Sequence, residues 1–419
     1  MCIFASIYQT HNYNPMKRIA LFALAALTIL TGCKKEKEGK VLSPDEQKDY
    51  IENVAVEAIN LIDFDYWKPT ADFIVGTEKV AANCETDKSF EDFTDAFYEA
   101  FDKGDHKTVY DFSTLKGHFF IDNNAIKYEK ASKFSADWKL EDGSACKLTG
   151  AVTSSKKEIL VAENTRYDDN GTEYVEEEWV VIPTKVTVKA TKGGKTMGNL
   201  DLATDFNIKG DFPDPATDKI SVTAGFSAGD YKVSVTRAKY SPTEIATTFN
   251  FNKGKKQIFK FDLLAKGKLS FEEDGDPDLE KTTGTVKVSG NVLNKVKLTG
   301  TLNWGKYVAF AKEQKDPKTL EEAQAIAKDM ESIVKIVLNC GNRDQARLGF
   351  EAIADTEQEG AETYSIETVV RFTDGSAYQL PKEYYTEDSF EDVFEAFSAL
   401  TKKINDYLES INSSENQPK

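Results

Sequence analysis

Between residues 119 and 304 the apolar positions of this chain recur at every second residue. Within 199–208, Leu200, Leu202, Phe206 and Ile208 share one face, while Asn199, Asp201, Asp205 and Asn207 take the other. The same alternation returns at Ile220, Val222, Ala224 and Phe226, at Tyr231, Val233 and Val235, and at Ile245, Phe249 and Phe251. It recurs again at Val286 and Val288, then at Val296, Leu298 and Leu302. Period two with one apolar face describes strands buried on one side and wet on the other, the habit of antiparallel sheets. Asp142-Gly143, Gly193-Gly194, Ala228-Gly229 and Lys253-Gly254 punctuate these runs. Such dipeptides favour tight hairpin turns, so the pattern predicts a long meander of hairpins.

Helical spacing flanks this region on both sides. Ser43-Pro44-Asp45-Glu46 reads as a capping box with proline at the first helical position, and Ile51, Val54, Ala55, Ala58, Ile59 and Ile62 follow as one stripe. Pro69 is expected to interrupt, leaving a second short helix over 71–82. Ser89-Phe90-Glu91-Asp92 is another capping box, with Phe90, Phe93, Phe97 and Phe101 as its stripe and Gly104 as its stop. Helical spacing returns at Thr319, with Leu320, Ala323, Ala327, Met330, Val334 and Val337 predicted on one stripe and 339–342 closing it. A hairpin with Gly375 in its second turn and a last helix from Ser389 to about Ile411 complete the chain. Ser389-Phe390-Glu391-Asp392 echoes Ser89-Phe90-Glu91-Asp92, and Asp374-Gly375-Ser376-Ala377 echoes Asp142-Gly143-Ser144-Ala145. Their order along the chain differs, which favours reuse of common caps and turns over duplication. The predicted fold class is α+β: a large antiparallel meander sheet with N- and C-terminal helices on its apolar face. The expected divisions are an N-terminal helical segment at 43–104, a sheet body at 105–315, a helix-hairpin-helix segment at 316–411 and a frayed tail at 412–419.

The first forty residues carry a different signal. Met16-Lys17-Arg18 is basic, 19–30 is apolar apart from Thr28, and Leu30-Thr31-Gly32-Cys33 follows. A basic stretch, an apolar run and a small residue before a cut describe a secretory signal, and the run is too short to span a bilayer. Leu-Thr-Gly-Cys resembles the bacterial lipobox, in which signal peptidase II cuts before the cysteine. The resemblance covers residues 16–33 and implies that Cys33 is lipidated. Several acyl chains on one residue give stable anchoring. It makes 16–32 a signal peptide and 33–42 a tether. Residues 1–15 fit no targeting pattern, and Met16 is the better start. Lys34 stands where aspartate would resemble an inner-membrane retention signal, which favours the outer membrane. Lys34-Lys35-Glu36-Lys37-Glu38 resembles the charged surface-export signal of Bacteroidota lipoproteins but mixes signs, so the periplasmic and cell-surface faces both stay open.

Composition narrows the function classes. The 419 residues hold 53 Lys+Arg against 70 Asp+Glu, a formal charge of −17, which lacks the basic footprint of a nucleic-acid binder. Only three histidines are present, which leaves little for imidazole or histidine-rich metal chemistry. After Cys33, the cysteines Cys84, Cys146 and Cys340 are widely spaced and show no zinc pattern. One segment departs from the acidic balance: residues 181–270 carry 15 Lys+Arg against 8 Asp+Glu, Lys185, Lys189, Lys192 and Lys195 among them. A lysine-lined wet face protected from edge pairing explains it more simply than an anion-binding surface.

The motifs that suggest chemistry fail in their context. Gly225-Phe226-Ser227-Ala228-Gly229 matches the nucleophile-elbow pattern, but a strand follows where a helix is required and no histidine comes later in the chain. Gly194-Lys195-Thr196 has Lys189 where a P-loop needs its first glycine. Asp274, Asp276 and Asp278 alternate like a calcium loop, yet Leu279 and Thr285 occupy its glycine and glutamate positions. Asp168-Asp169-Asn170-Gly171 reads as a turn. His106 and His118 have no carboxylate at supporting spacing. The expectation is a non-enzymatic envelope lipoprotein without cofactor or metal, reaching the membrane through Cys33. Its sheet is expected to hold a lipid, glycan or peptide. The alternative is a structural or assembly lipoprotein docking onto a protein partner, with a glycan-active enzyme third. Cys33→Ala is expected to release the protein from the membrane fraction and change its electrophoretic mobility; unchanged fractionation and mobility would contradict the lipobox reading.

Overall fold

The computed structural model describes residues 41–168, 170–272, 278, 280–313, 317–341, 343–355, 363–380 and 390–415. The signal segment, Cys33, Asp169, Asp274, Asp276 and Ser389 lie outside the described residues. The chain begins with α1 (Pro44–Leu61), α2 (Phe64–Ala82), β1 (Glu85–Thr86) and α3 (Lys88–Glu99). Four short strands follow: β2 (Lys107–Tyr110), β3 (Gly117–Asp122), β4 (Ala125–Glu129) and β5 (Phe134–Lys139). Next come the long hairpin arms β6 (Ala145–Tyr167) and β7 (Glu173–Lys192), then β8 (Lys195–Asn207), β9 (Lys219–Ala228), β10 (Tyr231–Ser241) and β11 (Glu244–Lys253). The chain continues through β12 (Lys256–Lys268), β13 (Thr283–Val292) and β14 (Val296–Asn303) into α4 (Trp304–Glu313) and α5 (Leu320–Ile333). It ends with β15 (Val334–Cys340), β16 (Arg343–Asp355), β17 (Thr363–Phe372), β18 (Ala377–Gln379) and α6 (Glu391–Glu415).

All eighteen strands belong to one sheet. From β5 to β18 each strand pairs antiparallel with the next, so the predicted meander exists and extends past residue 304 through β15–β18. Three parallel pairings, β1–β4, β3–β5 and β2–β7, join the short N-terminal strands to it. The turns are those the sequence chemistry favours. Gly193 and Gly194 both sit at positive φ (56° and 78°), as do Asn123 and Asn124 (50° and 59°), the geometry that matches the twist of a hairpin.

The register aligns the apolar residues of successive strands into rungs. One rung runs Leu202, Ala224, Val235, Phe249, Phe261, Gly290, Leu298, Leu338, Ala346 and Phe372. A neighbouring rung nearer the hairpin turns runs Leu200, Phe226, Val233, Phe251, Phe259, Val292, Val296 and Cys340. Helix α1 buries its stripe here. Ile51, Val54, Ala55 and Ala58 pack with Tyr231, Ile258, Val292, Val296, Leu338, Cys340, Val370 and Phe372 into the main core. Phe390 and Val393 of the α6 end join the same core. Each fully buried aliphatic side chain contributes about 1.5–3 kcal/mol, which makes α1 the chief seal of this end.

Tyr231 fixes the corner between α1 and α2. It is fully buried, donates to the Leu61 carbonyl at 2.5 Å, accepts from the Asp63 amide at 3.0 Å, and stacks on Trp67 with ring centroids 4.8 Å apart. A second polar lock sits at the other end of α1. Buried Gln47 donates to the carbonyl oxygen of Gln345, whose own Oε1 accepts from the Leu42 amide at 3.1 Å. Glu57 pairs with both Lys256 and Lys295. Burial pushes its carboxyl up, but the two ammonium groups outweigh that and hold it below the usual range.

Several local expectations are corrected. Helix α2 starts at Phe64, capped by Asp63, and carries Pro69 in its second turn. A proline so near the start forfeits one helical hydrogen bond without ending the helix. The cap of α3 is Asp87, whose carboxylate accepts from the amides of Ser89 and Phe90, which frees the Ser89 hydroxyl to accept from the Tyr128 amide. The helix opened by Thr319 stops at Ile333, and Val334 and Val337, predicted on its stripe, belong to β15. Val334, Ile336, Leu338 and Cys340 alternate, and this β-branched run prefers pleated pairing with β14 over further helical turns. Helix α5 lies on the side of β16–β17 where Arg371 bridges Glu331 and Glu351. The echoed segments pack differently. Phe90 meets Phe119 of β3, whereas Phe390 enters the α1 core.

Ile51 is fully buried and Phe397 is 59% exposed. Ile51→Ala is therefore expected to cost about 3 kcal/mol in urea unfolding. Phe397→Ala should stay within about 0.5 kcal/mol. Equal losses at the two sites would contradict the assigned core.

Candidate binding face and cleft

The seal made by α1 is local. Beyond the hairpin-end rungs the apolar face continues through Val235, Phe249, Phe261, Leu263, Val288, Leu302 and Ile336. These side chains are half-buried and belong to none of the buried clusters. Leu200 and Phe226, opposite one another on β8 and β9, are 40% and 39% exposed. Small residues thin the middle of the face. Gly290 stands opposite Phe261 and Leu298, and Gly300 stands opposite Val288 and Ile336. The alternate positions of the same strands are polar, with Asn250, Lys260, Asp262, Lys287 and Ser289 on the far side. The sheet therefore presents one broad apolar face only partly removed from water.

A separate cleft of about 1060 Å³ lies between the end of α2, the β3–β4 hairpin and the β5–β6 hairpin. Its apolar lining includes Val80, Phe120, Trp138 and Leu140, and its polar lining includes Asn83, Asp122, Asp137 and Glu141. Trp138 is held by its indole N–H, which donates to Thr77 Oγ1 at 3.2 Å, and by Phe73, 5.8 Å away ring to ring. Beside the cleft a polar cluster joins three strands. Asp137 of β5 pairs with Lys147 of β6 at 3.1 Å, and His118 Nε2 of β3 lies 3.8 Å from the same carboxylate. His118 Nδ1 is 3.0 Å from Ser135 Oγ, and its ring stacks on Phe120. The serine–imidazole–carboxylate order superficially matches a hydrolytic triad. However, the 3.8 Å gap exceeds a hydrogen bond, and the carboxylate is engaged by Lys147, which donates to Oδ2 at 3.2 Å, so the geometry is not that of a triad.

Cys84 and Cys146 also line this cleft, and burial pushes both thiols above their ordinary range. The Cys84 thiol donates to the Val80 carbonyl at 3.1 Å.

The residues singled out in the sequence are scattered. Ser227 lies in β9 just before the Gly229 turn and accepts from Asn199 Nδ2 at 3.3 Å. His106 stacks on Tyr174, far in register from the partners of His118. Asp168 accepts from the Asn170 and Thr172 amides, as a turn aspartate does. Asp278 pairs with Lys281 at 2.6 Å. Among the described residues no group of His, Cys, Asp or Glu is arranged to hold a metal ion. The cations of the basic segment are partly spent within the fold. Arg237, Lys239 and Lys266 surround Glu244, and Lys192 pairs with Asp142. The Lys192 and Ser144 contacts hold the Asp142 carboxyl well below its usual range.

The chain matches no protein-family model, no curated protein and no solved structure. No helix among the described residues is long and apolar enough to cross a membrane. Function therefore rests on the geometry above. The sequence reading missed the cleft, because Val80, Asp122, Asp137 and Cys146 lie on four elements and share no spacing. The one available signal was Phe120 two residues after His118 on a strand, which puts both on one face.

Because both cleft thiols are protonated more firmly than an exposed thiol, iodoacetamide is expected to label Cys84 and Cys146 slowly at pH 7. Labelling should accelerate as pH rises well past 9, while urea-unfolded protein labels promptly throughout. Fast labelling of the folded protein at pH 7, read by mass spectrometry, would contradict the burial.

Proposed function

We propose that this chain is an outer-membrane lipoprotein, anchored through Cys33, with a non-catalytic binding role. Its sheet takes up the apolar part of a ligand, and the acyl chain of a lipid suits it best among lipid, glycan and peptide. The observation that carries this reading is the row of half-buried apolar residues from Val235 through Phe249, Phe261 and Leu263, outside the α1 core. A one-sided apolar face of this breadth, left partly wet, marks an interaction surface. An extended chain lying across the rungs would complete the burial that the helices leave unfinished. The lipobox supports the membrane location, since a tethered body stays where lipids are delivered and removed.

A second reading has its own support. On α6, Phe394, Phe397, Ile404 and Leu408 are 58%, 59%, 37% and 50% exposed. With Thr401 they follow the three-four spacing of a helix-pairing seam. The flank of α6 next to this stripe is held to α1 and α2 by Val393, by the Lys403–Asp65 pair and by the Tyr407–Asp72 hydrogen bond. This arrangement favours docking of a partner helix in an assembly role.

Native mass spectrometry separates the two readings, using the chain from Cys33 onward with that cysteine replaced. The expected result is a co-purified mass in the lipid range that disappears in Phe261→Asp. A bare mass, together with blank lipid arrays, would remove the ligand reading. The docking reading predicts that Phe394→Glu combined with Phe397→Glu abolishes recovery of an envelope partner while leaving the urea midpoint unchanged.

A further inference from the structure

We propose that the cleft beside α2 is a separate binding site for a neutral saccharide. The inference does not depend on what the open sheet face binds. Its size suits a small ligand of a few sugar rings, and its lining comes from a helix end and two hairpins rather than from a single loop. The lining combines the two kinds of surface that a sugar ring requires. Phe120, which is only part-buried, offers apolar area to the C–H face of a pyranose. Asn83, Asp122, Asp137 and Glu141 line it with planar amide and carboxylate groups whose oxygens can accept from hydroxyls.

The charge balance selects a neutral ligand. Asp122 is paired with Lys127 at 2.7 Å, and Asp137 with Lys147 at 3.1 Å. Lys139 stands on the same rim as Glu141. The carboxylates thus keep acceptor capacity for hydroxyl donors while their charge is compensated, so neither a phosphate nor a polycation gains much there. An acyl chain fits worse than on the open sheet face, since it would desolvate the charged rim without offering it a hydrogen bond. The Phe120 ring is already set by its stack on His118, and Asp137 is set by Lys147, so both are oriented before a ligand arrives.

The test uses the full chain in a sugar-free zwitterionic detergent, titrated by calorimetry and saturation-transfer NMR. The probes are neutral gluco-, xylo-, manno- and N-acetylglucosamine oligosaccharides. The expected result is saturable binding of at least one series, weakened about tenfold or more by Asp137→Asn and by Glu141→Gln, as loss of a charge-assisted hydrogen bond predicts. The bound sugar should also slow Cys84 alkylation, and Phe261→Asp on the distant sheet face should leave its affinity unchanged. Absence of binding by every neutral series would overturn the proposal. So would binding that Asp137→Asn and Glu141→Gln leave intact while their urea midpoints match the parent, or capture of an unstructured peptide in place of the sugars.

Discussion

The fold depends on one seam, where α1 lies across the hairpin ends of β10 to β17. A long meander has no natural closure, and its apolar face must be buried by something other than itself. Ile51 and Val54 enter the residues that flank the tight turns, Val292 and Val296 on either side of Leu293-Asn294 and Cys340 before Gly341. The turns bring many strands within reach of a single helix, so eighteen residues of helix seal the ends of eight strands. Tyr231 makes this docking specific. Its hydroxyl serves the two backbone groups exposed where α1 breaks before α2, Leu61 C=O and Asp63 N–H. An apolar side chain of the same size would take this acceptor from the Asp63 amide and leave Leu61 C=O to the Lys253 ammonium, 3.3 Å away. The Gln47–Gln345 pair plays the same part at the start of α1, tying the chain entering the body to the start of β16.

That economy has a consequence. One helix across the strand ends leaves the strand middles to whatever else is present. Sequence alternation continues unbroken from the covered rungs into the uncovered ones, Phe251 to Phe249 and Phe259 to Phe261, with no polar residue marking where α1 stops. A sheet evolved only to be wet beyond the helix would lose aromatics there. Phe249 and Phe261 face one another in register, and Val235 adjoins them on β10. Leaving such residues partly wet costs solubility and invites association, a cost that the proposed ligand would offset.

Much of the fold was legible from the chain, for reasons that can be located. The meander followed from period-two alternation between Gly-containing turns, and the start of α1 from Ser43 and Glu46, whose reciprocal hydrogen bonds form as the spacing implies. The reading slipped where two periods overlap. Val334 fits a helical stripe with Ala327 and Met330, and it fits a strand with Ile336 and Leu338 equally well. Pairing with β14, invisible locally, decided it. Pro69 misled because its cost depends on where a helix begins, and Asp63 placed that start further back. The candidate sites were least legible. His118 and His106 have no carboxylate at supporting spacing along the chain, whereas the neighbours of His118 in space, Ser135, Asp137 and Lys147, come from strands joined by parallel and antiparallel pairings that no spacing encodes. The uncovered rungs were written in the sequence as apolar positions, but how far α1 reaches is a property of packing alone.

The basic segment shows how a compositional signal changes once folded. Its excess of lysine suggested either an anion-binding surface or a solvated sheet face, and the pairings favour the second. Three cations converge on the mostly buried carboxylate of Glu244, Lys256 reaches across to Glu57 on α1, and Lys260 neutralises Asp262 within its own strand. Positive charge is spent holding neighbouring strands and the sealing helix together, at the polar positions that alternate with the apolar rungs. A lipid bound on the opposite face would therefore be held by its chains rather than by its headgroup. The tether fits such a role. Ten residues from 33 to 42 reach at most about 35 Å when fully extended. On the proposed anchoring through Cys33, the start of α1 would stay within that distance of the bilayer, which would keep the body at the membrane surface.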